Sequence, residues 1–277
     1  MLVKTKMNIF LYAIIFICGT MFGSFYTLAV YRIPLGKDIT HTRSYCPNCN
    51  HKLSFLDMIP IFSYIFLGGK CRYCHKKIRI RYLLLEVLSG VVFTLFAVSI
   101  DFNIYNMEIS KIIYCICGLL YIAGLFIIAG IDKEKMQIRN GVLLYTIIVE
   151  AVYIIYLYVL EKQDIYRYVI YLFVVVILTL INNFYFSKKA KNNYTLQIII
   201  LAFLMLTFTY EACTILTITC TILAIAIQLI FTSIAKVKQK KIRVNDTEEY
   251  KVPIGFYLCV SNIIMLIITN MQIFYRG

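Results

Sequence analysis

Eight apolar runs, most close to twenty residues long and each ended by charge, fill most of this 277-residue sequence. They fall near residues 8–30, 83–100, 112–131, 141–160, 168–186, 196–211, 213–235 and 253–270. A helix needs about 20 apolar residues to cross the ~30 Å hydrocarbon core of a bilayer. Inside lipid each backbone polar group must be paired within the protein, so runs of this kind are helical. A soluble domain is about 45–50% apolar and about 25% charged. Here 61% of residues are hydrophobic and 15% are charged, more apolar surface than one soluble core can hide and too few charges for a disordered chain. The fold class is an all-α polytopic membrane protein with about eight transmembrane helices. The first run follows Lys4 and Lys6 but continues to Val30 without a small-x-small cleavage site, so it reads as an uncleaved span rather than a signal peptide. The sixth run is short and meets the seventh at Glu211, as in a tight hairpin.

Basic residues set the expected orientation. The net charge is +14, and 22 of the 28 Lys and Arg lie in four stretches, 32–81, 132–140, 187–194 and 236–251. With eight spans these four loops share one side of the membrane. The positive-inside rule puts that side in the cytoplasm and both termini outside. The positive charge therefore belongs to loops facing the membrane surface, and no nucleic-acid partner is expected. The chain reads as a first span (1–31), a cytoplasmic cysteine-rich domain (32–82) and a membrane domain (83–277).

Within that first loop, Cys46-Pro47-Asn48-Cys49 and Cys71-Arg72-Tyr73-Cys74 place two CxxC turns 21 residues apart. Each turn presents two sulfurs, and two such turns close a tetrahedral four-sulfur site suited to zinc. With four sulfurs no position stays open, so the metal would be structural. Thiolate ligation needs a reducing compartment, in keeping with the cytoplasmic assignment. The other reading of the same residues is two disulfides or four unrelated thiols. His75 follows Cys74 directly and could replace a ligand; His41 and His51 flank the site as loop residues. A zinc ribbon can bind nucleic acid, but the ten basic residues of this loop equally suit anionic lipid headgroups. Cys18, Cys115, Cys117, Cys213, Cys220 and Cys259 lie in spans, where a thiol is a small apolar filler.

Carboxylates within spans are costly and face a partner or a polar cavity. Four of the 14 acids are in or at the edge of a span: Glu86, Asp132, Glu150 and Glu211. Asp132 ends the third span within Gly130-Ile131-Asp132-Lys133-Glu134, at the cytoplasmic interface, where hydration among headgroups is the plain reading. Glu86 opens the second span just after Arg79 and Arg81, where the plain reading is an interfacial ion pair. Glu150 is mid-span, and Glu211 falls on the outer side.

Several blocks together resemble a known family. They are Gly23-Ser24-Phe25 through Tyr31-Arg32-Ile33-Pro34, Ser44-Tyr45-Cys46-Pro47-Asn48-Cys49, Ile59-Pro60-Ile61-Phe62-Ser63-Tyr64, Gly69-Lys70-Cys71-Arg72-Tyr73-Cys74, Ile78-Arg79-Ile80-Arg81-Tyr82 and Leu85-Glu86. In order and spacing they resemble the first span and cytoplasmic cysteine domain of the type IV prepilin leader peptidase/N-methyltransferase family, the A24-type aspartic membrane peptidases. Ile131-Asp132 with Ile138 and Asn140 resembles the block around that family's first catalytic aspartate, and Val252-Pro253-Ile254-Gly255-Phe256 resembles the entry to its last span. The likeness is dense up to residue 140 and sparse beyond it. It implies an eight-span enzyme of the bacterial inner (plasma) membrane. Such an enzyme cuts the leader from type IV prepilins or pseudopilins at the cytoplasmic face, then methylates the new N-terminus with S-adenosylmethionine. It also implies that Asp132 is the first catalytic residue and that Glu86 and Arg81 are candidates for a substrate- or methylation-associated role.

The second catalytic aspartate departs from the pattern. In the family it belongs to a Gly-x-Gly-Asp motif, and here no glycine occurs between Gly141 and Gly255. Aligning Leu196 with the leucine after that motif puts Asn193 in the aspartate's place. An amide can donate and accept hydrogen bonds but cannot take up a proton near neutral pH. Arg139 also stands where the family commonly has proline. Asp246, Glu248 and Glu249, in the last cytoplasmic loop, are the other acids on the right side of the membrane. Four functions are therefore open: a protease with an unrecognised second acid, a catalytically impaired member that retains only methylation or prepilin binding, a non-enzymatic binder of pilin leaders, and a transporter. Sparse intramembrane charge and the lack of a Gly/Pro-broken helix pair weigh against the transporter. No Gly-rich loop after a strand supports a Rossmann-like methyl-donor site.

Overall fold

The computed structural model describes residues 2–39, 43–160, 165–182, 194–209, 211–239 and 252–276. These residues form helices α1 (Leu2–Arg32), α2 (Phe62–Phe66), α3 (Arg81–Ser99), α4 (Ile109–Lys135), α5 (Asn140–Val159), α6 (Tyr166–Ile181), α7 (Tyr194–Phe208), α8 (Glu211–Gln239) and α9 (Ile254–Arg276). Short 3-10 turns join some of them, and the described residues include no strand beyond two isolated bridges. Six helices are long and apolar enough to cross a membrane; α6 and α7 are shorter apolar helices. Their 16 and 15 described residues span about 24 and 22 Å at 1.5 Å per residue. The eight apolar runs thus correspond to eight apolar helices, and the chain is an all-α polytopic membrane protein.

The chain divides into two compact units, Met1–Ala123 with Asn270–Gly277, and Gly124–Thr269. The first is organised by α1 lying against α3. Lipid supplies no hydrophobic drive between helices, so close backbone approach matters. Gly19 and Gly23, one turn apart on α1, provide it. A Cβ on Gly19 would sit 2.8 Å from the Gly90 Cα, and one on Gly23 would sit 2.7 Å from the Glu86 Cα. On α3, Ser89, Gly90, Phe93, Phe96 and Ala97 are buried. Leu84, Leu88, Val91 and Leu95 form an exposed stripe at helical spacing, an apolar outer face of the kind lipid requires. The Asn8 side chain accepts the Ile104 N–H at 3.3 Å, and Tyr114 donates to Asn270 Oδ1 at 3.2 Å.

In the second unit α7 packs against α6, α5 and α8. The hydroxyls of Thr209, just after α7, and of Thr214, in the first turn of α8, lie 3.1 Å apart. Polar side chains bond between helices at three places. Asn140 Oδ1 accepts from Asn182 Nδ2 at 3.3 Å and Gln197 Nε2 at 3.2 Å. Thr207 donates to Oε2 of Glu150, a mid-span carboxyl that is 1% exposed, and so links α7 to α5. Asn262 on α9 donates to Thr217 on α8 at 3.3 Å. Interhelical bonds of this kind average about 0.6 kcal/mol.

Candidate active site and metal centre

The two CxxC turns are built alike. The Cys46 N–H donates to the His51 carbonyl at 3.0 Å and the Asn50 N–H to the Cys46 carbonyl at 2.8 Å; Cys71 with Lys76 and His75 with Cys71 repeat these bonds at 3.0 and 2.9 Å. In each turn the residue after the second cysteine is left-handed, Asn50 at φ 55° and His75 at φ 56°. The flanks pair antiparallel at the same offsets, Tyr45 with Lys52 and Lys70 with Lys77. Each cysteine pair is therefore held by its own backbone. All four sulfurs lie within 4.8 Å of one another, with Cys46 and Cys74 at 3.9 Å. A tetrahedral zinc with bonds of about 2.3 Å has sulfur–sulfur edges of about 3.8 Å, so the quartet fits such an ion with little adjustment. All ten cysteines are free thiols, so the two-disulfide reading does not describe this fold. His75 is used as the left-handed residue of its turn, and the cluster that could hold a metal ion is Cys46, Cys49, Cys71 and Cys74.

Side chains lock the two turns together. Asn48 accepts from Lys76 Nζ at 2.6 Å and donates to Cys74 Sγ at 3.6 Å. The His51 and Tyr73 rings stack with centroids 3.6 Å apart. Asp57 accepts from Ser54 Oγ at 2.7 Å, Ser54 N at 3.1 Å, Tyr73 Oη at 3.3 Å and Arg72 Nε at 2.6 Å. Burial pushes the Asp57 carboxyl up, but the Ser54 and Arg72 bonds outweigh it and hold its pKa below the usual value. The Lys76 N–H and the Asn48 amide bring the Cys74 thiol down to about 6. For Cys49 the His51 N–H acts in the same direction, but desolvation and the neighbouring Cys46 and Cys74 sulfurs win and raise it to about 11.

Glu86 sits on the second turn of α3, where Oε2 accepts the Ile61 N–H at 2.7 Å and Ser24 adds a side-chain bond. Ile61 has φ 62° and stands immediately before α2, so Glu86 fastens the cysteine-rich loop to the α1–α3 pair. Arg81, the first residue of α3, is exposed with its guanidinium 5.4 Å from the Tyr82 ring centroid.

Asp132 lies near the end of α4 and is fully buried. A carboxylate at a helix C-terminus opposes the helix dipole, and the compensation comes from elsewhere. Its Oδ2 accepts the Phe256 N–H at 2.9 Å, in the first turn of α9, and the Tyr194 hydroxyl at 3.0 Å. Tyr194 accepts in turn from the Gly255 N–H at 3.3 Å. A Cβ at Gly255 would press on Asp132, at 3.0 Å from Oδ2 and 3.2 Å from Cγ, so a side chain there would push the carboxylate by a few tenths of an ångström. Asp132 Oδ1 is buried with no hydrogen-bond partner among the described residues. No second carboxylate bonds to Asp132 among the described residues. Asn193, together with Asp246, Glu248 and Glu249, lies outside them.

Sequence reasoning missed Tyr194, the α9 amides as partners of Asp132, and the Gly19/Gly23 contact. The glycine pair was readable, because Gly19-Thr20-Met21-Phe22-Gly23 is a small-xxx-small pattern in an apolar run. Tyr194 carries no such signal beyond its place beside Asn193.

Residues 17–100 match the bacterial peptidase A24 N-terminal domain. Over these residues the chain is similar to the N-terminal domain of the A24 peptidases. The prepilin leader peptidase/N-methyltransferase of Bacillus subtilis (strain 168) is 35% identical over 133 residues, covering 48% of this chain and 50% of the relative. The protein of that description from Vibrio cholerae serotype O1 is 32% identical over 141 residues, 47% and 52% of the two chains. The one from Klebsiella pneumoniae is 30% identical over 136 residues, 47% and 56%. The match thus spans about half the length of these prepilin peptidase relatives. No solved structure matches.

Proposed function

We propose that this chain processes type IV prepilins or pseudopilins at the cytoplasmic face of a bacterial plasma membrane, with Asp132 as its reacting carboxylate and the cysteine quartet holding a structural zinc. The observation that supports it is the set of bonds at Asp132, a residue that lies beyond the domain match at 17–100. One oxygen is fixed by Tyr194 and the α9 amide, and the other is buried with no hydrogen-bond partner among the described residues, an acceptor left for a bound water. Water held at Oδ1 would pass its proton to Asp132 as its oxygen adds to the scissile carbonyl. Asp132 would return that proton to the leaving amine. The carbonyl oxygen also needs a donor. At the place where the family carries its second aspartate, Asn193 can offer an N–H bond but no proton. Tyr194 acts here as a positioning residue. Zinc would tie the two CxxC turns together and take no part in the cleavage step.

A second reading, a chain that binds or methylates prepilins without cutting them, is favoured by the missing Gly-x-Gly-Asp motif and the complete burial of Asp132. Cleavage of a prepilin leader in reconstituted vesicles separates the two. Cutting by the parent protein and not by Asp132→Asn supports the protease. An inert parent that gains activity on Asn193→Asp supports the impaired member. A one-methyl mass increase on a pre-cleaved pilin would assign the methylating variety of the second reading.

A further inference from the structure

The cysteine-rich loop carries a rim of large apolar side chains that its own fold leaves uncovered. Phe55 and Leu56 are 76% and 64% exposed, and Phe62, Ile65 and Phe66 are 58%, 61% and 83% exposed. The first two lie at the 3-10 turn Leu56–Met58, which packs beside α2, and the other three lie on α2. Phe62 and Phe66 stack with ring centroids 6.4 Å apart. Such a patch on a small polar module marks an interaction surface.

Three observations choose its occupant. The first is depth. Ile61, the residue before α2, is bonded to Glu86 at 2.7 Å. Glu86 is the sixth residue of α3, about 7.5 Å along the helix from Arg81 at 1.5 Å per residue. The 19 residues of α3 make about 28 Å, close to the hydrocarbon thickness of ~30 Å. With Arg81 at the edge of that core, the start of α2 is thus pinned about 7.5 Å along α3, at the level of the upper acyl chains. The second is tethering: the loop leaves from the end of α1 at Arg32 and returns to α3 at Arg81, so both its ends are fixed at the membrane. The third is charge: residues 32–81 hold ten Lys and Arg against two acids, Asp38 and Asp57. Basic residues beside an apolar face are what an anionic bilayer surface attracts.

We propose that Phe55, Leu56, Phe62, Ile65 and Phe66 are seated in the interfacial layer of the bilayer, so that the metal-binding module lies on the membrane with its apolar rim among headgroups and upper acyl chains. Glu86 sets that depth through Ile61. The module is thereby held in one orientation against the surface where the spans end.

The chain contains no tryptophan, so a single Phe66→Trp or Phe55→Trp substitution makes the only indole in the protein. Each full-length variant is reconstituted in phosphatidylethanolamine/phosphatidylglycerol vesicles containing phosphatidylcholine brominated on the upper acyl chain. The metal content of each is compared with the parent to verify that the module is folded. Blue-shifted emission, strong quenching by the brominated lipid and weak quenching by aqueous iodide are expected at both positions. Strong iodide quenching without lipid quenching would mean the rim faces water and would overturn the proposal. Shielding from both quenchers would overturn it too, because protein, such as a second copy of the chain, would then be the cover.

Discussion

Tyr194 donates its hydroxyl to Asp132 Oδ2 at 3.0 Å across 62 positions of sequence. This bond, with the Phe256 N–H, joins α4, α7 and α9 at one carboxylate. A hydrogen bond to a charged group is worth about 1.5–3 kcal/mol. Tyr194→Phe removes it and leaves Oδ2 with the Phe256 N–H alone, with little change in ring volume. On the protease reading, kcat for leader cleavage falls by about tenfold or more with KM little changed. Steady-state cleavage kinetics test this. An unchanged kcat would show that Tyr194 does not position the carboxylate.

Gly23 cannot carry a side chain, because its Cβ would meet the Glu86 Cα at 2.7 Å and the Leu85 carbonyl at 2.9 Å. Neither is a flexible chain end. Gly23→Val should force α1 from α3 and cost about 1–3 kcal/mol or more, the usual range for overpacking. Thermal unfolding in detergent is the measurement. A variant as stable as the parent would mean that the helices do not touch there.

Cys46→Ser removes one of four sulfurs that lie within 4.8 Å of one another. The expected outcome is a loss of bound zinc from about one ion per chain in the parent, measured by elemental analysis of purified protein. Equal zinc in both proteins would refute a four-sulfur site.

Asp57 joins Ser54 to the second CxxC turn, and its carboxylate is 2% exposed while the Arg72 side chain is 49% exposed. Burial raises its pKa, but the Ser54 and Arg72 bonds hold it below the usual value. A carboxyl depressed in the fold contributes stability above its unfolded pKa and loses it as pH falls through the folded one. Asp57→Asn should therefore weaken the loop at neutral pH by about 1 kcal/mol, the screening of the half-exposed arginine included. The gap between parent and variant should begin to narrow near about pH 4 and close as the pH falls through the lower folded pKa. Protease resistance of residues 32–81 across that range reads it; a gap that widens in acid would contradict the sign.

Much of the architecture was legible because membrane helices declare themselves locally. Each run from 8–30 to 253–270 is apolar on every side, and a helix in lipid needs no partner in the sequence to be recognised. The metal quartet was legible for a similar reason, since each CxxC turn is a short local structure and only the pairing of the two turns is long-range. Glu86 was harder. Its neighbours Arg79 and Arg81 pointed to an ion pair, whereas the fold gives it the Ile61 N–H and Ser24, and a backbone amide 25 residues away leaves no trace in composition.

By itself the sequence determined that this chain is a basic membrane protein of about eight helices, with four cysteines spaced for one metal, a prepilin-peptidase-like first half and no Gly-x-Gly-Asp motif. Only the tertiary structure decided what Asp132 meets. It brought a phenol from the start of α7 and an amide from the start of α9 to one carboxylate oxygen and left the other buried without a partner among the described residues. The physical reason is that a carboxylate's environment is made by donors far along the chain. Backbone N–H groups are present at nearly every position, so no residue pattern announces which of them will point at it.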